Sequence, residues 1–151
     1  MDFYKKYRHI GYASLGVPEG WVPIVKKALI DIEREMWPKW MPMFLKRLIH
    51  YLATGNSVVR VKYRWAYKLR QYFAKGTIQD VKEKYASLRI YFYGTQEIGD
   101  IIKMAEKECD ETCQRCGGKE GVETVDDGGW YSNLCEKCYT PTRQVLIEKY
   151  S

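Results

Sequence analysis

Residues 57–73, SVVRVKYRWAYKLRQYF, interleave apolar and basic side chains almost without interruption, and two periods compete for them. On a period of two, Val59, Val61, Tyr63, Trp65, Tyr67, Leu69 and Phe73 fall on one side. Arg60, Lys62, Arg64, Lys68 and Arg70 then fall on the other, as a half-buried strand requires. On a helical period, Val58, Val61, Trp65, Leu69 and Tyr72 line up instead. The β-branched and aromatic start favours a strand for the first half, and since about 15 residues is long for one strand, a bend or a change to helix is expected near Ala66. On this reading Trp65 and Tyr67 belong to the core, and the five cations share one solvent-facing stripe.

The stripe is the densest part of a longer window without acid. From Met36 to Gln79 there are nine Lys or Arg residues and no Asp or Glu, whereas from Glu97 to Cys138 eleven acids face five bases. The net charge of +6 therefore hides two regions of opposite sign.

Upstream, GVPEGW has the Pro and Gly of a turn, and VPIVKKALIDIEREMW places Val22, Val25, Leu29, Ile32 and Met36 at helical spacing. Pro38 and Pro42 in PKWMP end that helix, and MFLKRLIHYLA forms a second, shorter one closing near Gly55 and Asn56. Downstream, Ile78, Val81 and Tyr85 have helical spacing, LRIYFY reads as a strand, and QEIGDIIKMAEKECDE reads as a helix through Ile98, Ile101, Ile102 and Ala105.

That last helix leads into CQRCGG and, eighteen residues later, LCEKCY. Two residues between thiolates let one tight knuckle present both sulfurs to a single ion, and two knuckles complete a tetrahedron. Cys113, Cys116, Cys135 and Cys138 are accordingly the expected ligands of a structural zinc ion. VETV and WYSNL flank the DDGG turn as the two strands of a zinc ribbon. Cys109 is left over, so the five cysteines do not form an even disulfide framework; it reads as a helix residue close to the first knuckle.

The segments GVPEGWVPIV, VKEKYASLRIYFYG, IIKMAEKECDETCQRCG and GGWYSNLCEKC together resemble a family of small proteins encoded by tailed bacteriophages. Its members carry a similar VP-x-GW start, a KEKFG-x-LRFYY-like block and a helix running into paired CxxC motifs. The resemblance covers the first thirty or so residues and most of the chain after Thr77. It implies phage origin and a zinc-binding end, and supplies no catalytic residue. Here Tyr85-Ala86 replaces the family's Phe-Gly, and residues 37–76 look like an added basic extension.

The expected architecture is α+β, with helices packed on a small antiparallel sheet over residues 1–108 and a zinc ribbon over 109–151. No apolar run approaches the roughly 20 residues that span a bilayer, and the opening residues lack a signal-peptide core, so a host-cell cytoplasmic location is expected and no membrane partner. With only His9 and His50, no nucleophile motif and no phosphate loop, the sequence argues for binding rather than catalysis. Arg60, Lys62, Arg64, Lys68 and Arg70 are the candidate anion-binding residues, with Tyr and Trp nearby for stacking, and the expected partner is nucleic acid or a nucleotide. Three readings stand beside it. The stripe is a solvated face; the aromatic, Met-rich MWPKWMPMF anchors an inhibitor on a host protein; or several subunits pool arginines into a sponge for a nucleotide signal.

Overall fold

Pro23 stands in the first turn of the helix that organises the core, where its missing N–H breaks no intrahelical bond. In the computed structural model, which describes residues 3–11 and 15–139, this helix is preceded by α1 (Phe3–Tyr7), a 3-10 turn at Arg8–Ile10, the two-residue β1 (Leu15–Gly16) and a second 3-10 turn at Glu19–Trp21. The organising helix is α2 (Val22–Met36), followed by α3 (Met43–Thr54), α4 (Ser57–Lys62) and α5 (Arg64–Phe73). Then come β2 (Gly76–Lys84), β3 (Ser87–Gly94), α6 (Gln96–Asp110), β4 (Val122–Asp126) and β5 (Tyr131–Cys135).

The chain is α+β. Val25, Leu29, Ile32 and Met36 of α2 meet Ile98, Ile102 and Ala105 of α6, α6 lies on β3, and Ile78, Val81, Leu88 and Ile90 of the sheet complete the same core. Each large apolar side chain withdrawn from water in this way contributes about 1.5–3 kcal/mol. The sheet is the antiparallel hairpin β2–β3, with β1 added in parallel on the outer side of β2. Among the described residues no helix is long and apolar enough to cross a membrane.

Two local expectations are corrected. Residues 57–73 are helical in both halves, not a strand leading to a helix. The Asn56 side chain accepts from the Val59 N–H at 3.1 Å and so starts α4, and the break to α5 is at Tyr63, with φ −115° and ψ 43°. Cations four residues apart satisfy a period of two and a helical period alike; α5 packs along α3, and the β-branched start in α4 leaves Val58 and Val61 in water, where no buried sheet face favours a strand. Trp65 and Tyr67, expected in the core, are 53% and 55% exposed, while Ala66 between them is buried.

Residues 76–84 are a strand, although Ile78, Val81 and Tyr85 have helical spacing. The register slips between Ile78 and Asp80, leaving Gln79 as the extra residue. A bulge of this kind turns residues three apart to the same side, so Ile78 and Val81 both enter the core.

Helix α6 runs on to Asp110, and beyond it β4 and β5 form the expected hairpin, with register Val122↔Cys135 to Asp126↔Tyr131. The expected reach of the ribbon to residue 151 extends past the described residues. Among the hydrogen bonds that fasten the ribbon to the core are Trp21 Nε1 to the Thr112 carbonyl (2.8 Å), Gly20 N–H to the Gln114 carbonyl (2.9 Å), Asn133 Nδ2 to the Ala86 carbonyl (2.7 Å) and Lys119 Nζ to Glu108 Oε1 (2.7 Å). A Cβ on Gly20 would collide with the Cys113 carbonyl oxygen, so the GW turn has no room for a larger residue where it meets the knuckle.

Candidate metal centre and basic depression

The two CxxC knuckles converge at the base of the β4–β5 hairpin. The Gly117 N–H bonds the Cys113 carbonyl at 3.0 Å, and the Cys138 N–H bonds the Cys135 carbonyl at 2.9 Å, so each knuckle is a closed turn. Gly117 holds φ +75°, which lets the chain fold back after the first pair. Cys113 N–H to Gly118 (2.8 Å) and Gln114 N–H to Asn133 (2.8 Å) tie that knuckle to itself and to β5.

The four sulfurs lie within 4.8 Å of one another, with Cys116 and Cys135 at 3.6 Å. Zn–S bonds of about 2.3 Å in a tetrahedron put sulfurs about 3.8 Å apart, so the cluster matches the donor set of one metal ion. The Gly118 N–H points at Cys116 Sγ from 3.4 Å, a donor aimed at developing thiolate charge. Burial pushes the Cys113 thiol up, but the backbone N–H groups of Cys116, Cys135 and Arg115 outweigh it and bring the pKa down to about 6. Cys138 is pushed up to about 12, first by hydrogen bonding with Cys116 and Cys135. Cys113 thus loses its proton more readily than Cys138, and a bound cation would take the place of thiol protons in the cluster. Cys109 stands apart from the cluster, buried in the main core, where burial first and then Asp110 push its thiol up to about 12.

The five predicted anion-binding residues divide. Arg64 and Lys68, four residues apart, share one stripe of α5, and Arg60 joins them from α4 across the break at Tyr63, whereas Lys62 and Arg70 do not. The first three line an open depression of about 780 Å³ with Trp65, Tyr67 and Gln71, against Ala53 and Thr54 of α3. No acidic side chain lines it, and among the described residues none of the three cations has an ion pair. Lys62 lies over the Tyr63 ring at 5.6 Å. Arg70 turns inward: Nε donates to His50 Nδ1 at 3.1 Å, Nη2 donates to Thr77 Oγ1 at 3.4 Å, and the guanidinium sits 5.9 Å from the centre of the Trp37 ring. Burial followed by the charge of Arg70 holds the His50 pKa down at about 4, so a neutral imidazole accepts the bond.

One polar cluster has no counterpart in the sequence reading. Glu33, on the buried side of α2, receives His9 Nε2 at 3.2 Å and Lys46 Nζ at 2.5 Å, with all three side chains nearly inaccessible. Burial pushes the Glu33 carboxyl up, but the bonds from His9 and Lys46 overcome it and leave the pKa below the ordinary range. Lys46, counted in the basic window, is therefore spent inside the fold. The only sequence signal was an acid at a core-facing position, next to Ile32 and four residues after Leu29.

Comparison with family models, with curated proteins and with solved structures gives no significant match.

Proposed function

We propose that this chain is a non-enzymatic binding protein of phage origin that holds an anionic partner, nucleic acid or a nucleotide, in the depression between α3 and α4–α5. The observation that carries the reading is the meeting of Arg60, Arg64 and Lys68 with Trp65 and Tyr67 in one concavity without acid. The cations neutralise phosphates and the exposed rings offer faces for bases. Zinc is the metal that best fits four thiolates at tetrahedral separations, and with no open coordination position its role is structural. Acting in a host cell, such a protein would compete for nucleic acid or for nucleotide signals of host defence.

The test is equilibrium binding of a labelled single strand to the wild type and to Arg60→Ala/Arg64→Ala/Lys68→Ala. Loss of binding in the folded, metal-loaded variant supports the depression as the site, and unchanged affinity rejects it. A second reading, docking on a host protein, is favoured by one feature: Trp40, in the turn before α3, and Phe44, Leu48 and Tyr51, along the outer side of α3, are all about half exposed or more. Capture of one host protein by the wild type, abolished by Phe44→Ser/Leu48→Ser while strand binding persists, supports that alternative.

A further inference from the structure

The tips of the two hairpins, β2–β3 and β4–β5, face each other across a cleft of about 310 Å³ lined by Glu83, Lys84, Tyr85, Gly129, Trp130 and Tyr131. The aromatic rings stay in water: Tyr85 is 72% exposed and Trp130 76%. Both walls are held in place. Tyr85 and Ala86 take φ values of +52° and +60°, the left-handed pair of a tight hairpin turn. That turn is secured by the Ala86 N–H on Glu83 Oε1 (2.7 Å) and by Asn133 of β5 on the Ala86 carbonyl. The Asn133 bond also fixes the ribbon hairpin, and with it Trp130 and Tyr131, relative to Tyr85.

Charge decides the occupant. Glu83 turns its carboxylate back to the Ala86 N–H and keeps its charge, and Lys84, over the Tyr85 ring at 5.4 Å, is the cation that lines the cleft. From Lys84 the solvent side of β2–β3 continues through Lys82 and its cross-strand partner Arg89 to Tyr91 and Tyr93, since residues two apart on a strand share a face. Asp80 pairs with Lys82 at 2.5 Å and Glu106 stands near Arg89, while among the described residues Lys84 and Arg89 make no ion pair, so these two are the cations of this face left for a partner. The ribbon tip on the opposite side carries Asp126, at the end of β4, and Asp127, outside the lining of the cleft, and their charges disfavour phosphate there.

We propose that the cleft is a stacking clamp for an unpaired nucleobase, with the phosphates of the same strand running over Lys84 and Arg89 on the β2–β3 side and away from the acidic ribbon tip. This deepens the nucleic-acid reading above and depends on it. It assigns the partner as single-stranded, because paired bases present no free face to a clamp.

The test compares a fluorescein-labelled oligothymidylate of about 12 nucleotides, within the site sizes of single-strand binders, with its duplex, using full-length zinc-loaded protein. The wild type is expected to bind the single strand more tightly than the duplex. Tyr85→Ala/Trp130→Ala is expected to weaken single-strand binding about tenfold with an unchanged salt dependence, because stacking is lost and no cation is removed. Lys84→Gln/Arg89→Gln is expected to reduce the salt dependence by about one phosphate contact or more. Equal affinity for single strand and duplex, or wild-type affinity in the Tyr85/Trp130 variant at normal metal content and melting temperature, overturns the clamp. If the Arg60/Arg64/Lys68 variant loses binding while the tip variant does not, the clamp fails and the depression stands; the reverse pattern rejects the depression and keeps the clamp.

Discussion

Ala86 holds φ +60° while its side chain is only 2% exposed, directly after Tyr85 at φ +52°. A left-handed backbone costs an L-residue about 1–2 kcal/mol, and Glu83 and Asn133 supply the bonds that hold it there. Ala86→Gly relieves that strain but loses a buried methyl, about 0.8 kcal/mol, and frees the unfolded chain. It is therefore expected to be close to neutral in chemical denaturation, where a buried Ala→Gly in ordinary geometry loses about 1 kcal/mol or more. A loss of more than about 1 kcal/mol would contradict a left-handed Ala86. The turn thus requires the geometry that glycine would supply, although the sequence holds Tyr-Ala. His50 sets a pH dependence. Its folded pKa of about 4 lies below its ordinary 6.5, so between those values the unfolded chain binds more protons and stability falls as the pH falls. The slope should approach 1.4 kcal/mol per pH unit, and His50→Gln should flatten it. Glu33, also depressed, adds a loss at lower pH, below its ordinary 4.5. Denaturation midpoints that stay level from pH 7 to 5 would contradict the buried Arg70–His50 contact.

Among the elements, the cysteine ribbon carries the plainest dependence on one group, the ion its four thiols could hold. β4 and β5 bury little apart from Leu134 and the cysteines, too small a core to hold a hairpin alone. Cys135→Ser or a strong chelator should remove about one metal ion per chain, zinc on the proposal above, and abolish amide protection in β4 and β5 while α2 and α6 keep theirs. A hairpin protected without metal would contradict the assignment. The ribbon was legible because CxxC spacing is a direct geometric instruction, and α2, α3 and α6 were legible because their apolar residues repeat at 3.6. β2 was not, since the bulge at Gln79 imitates helical spacing. Residues 57–73 were not either, because cations at 60, 64 and 68 suit both periods and the deciding contact, with α3, lies outside the segment.

Over the whole molecule, the expected separation of charge is modified by the fold. Lys46 and Arg70 are drawn inward, by Glu33 and by His50 with Thr77, and no local pattern marks them apart from the cations that stay outside. The candidate anion site was therefore legible as a region, with Arg60, Arg64 and Lys68 remaining in the depression and Lys62 and Arg70 not. The basic depression and the stacking clamp lie on separate elements, so a strand long enough to reach both would be held at two places. The most direct measurement of the central claim is the salt dependence of single-strand binding for the wild type and for Arg60→Ala/Arg64→Ala/Lys68→Ala. Each phosphate neutralised on a single strand contributes a slope of about −0.7 in log K against log salt. The three cations should therefore account for a slope of about −2, which the variant loses along with most of its affinity. Equal slopes for the two proteins would contradict the proposal that this depression holds the phosphates.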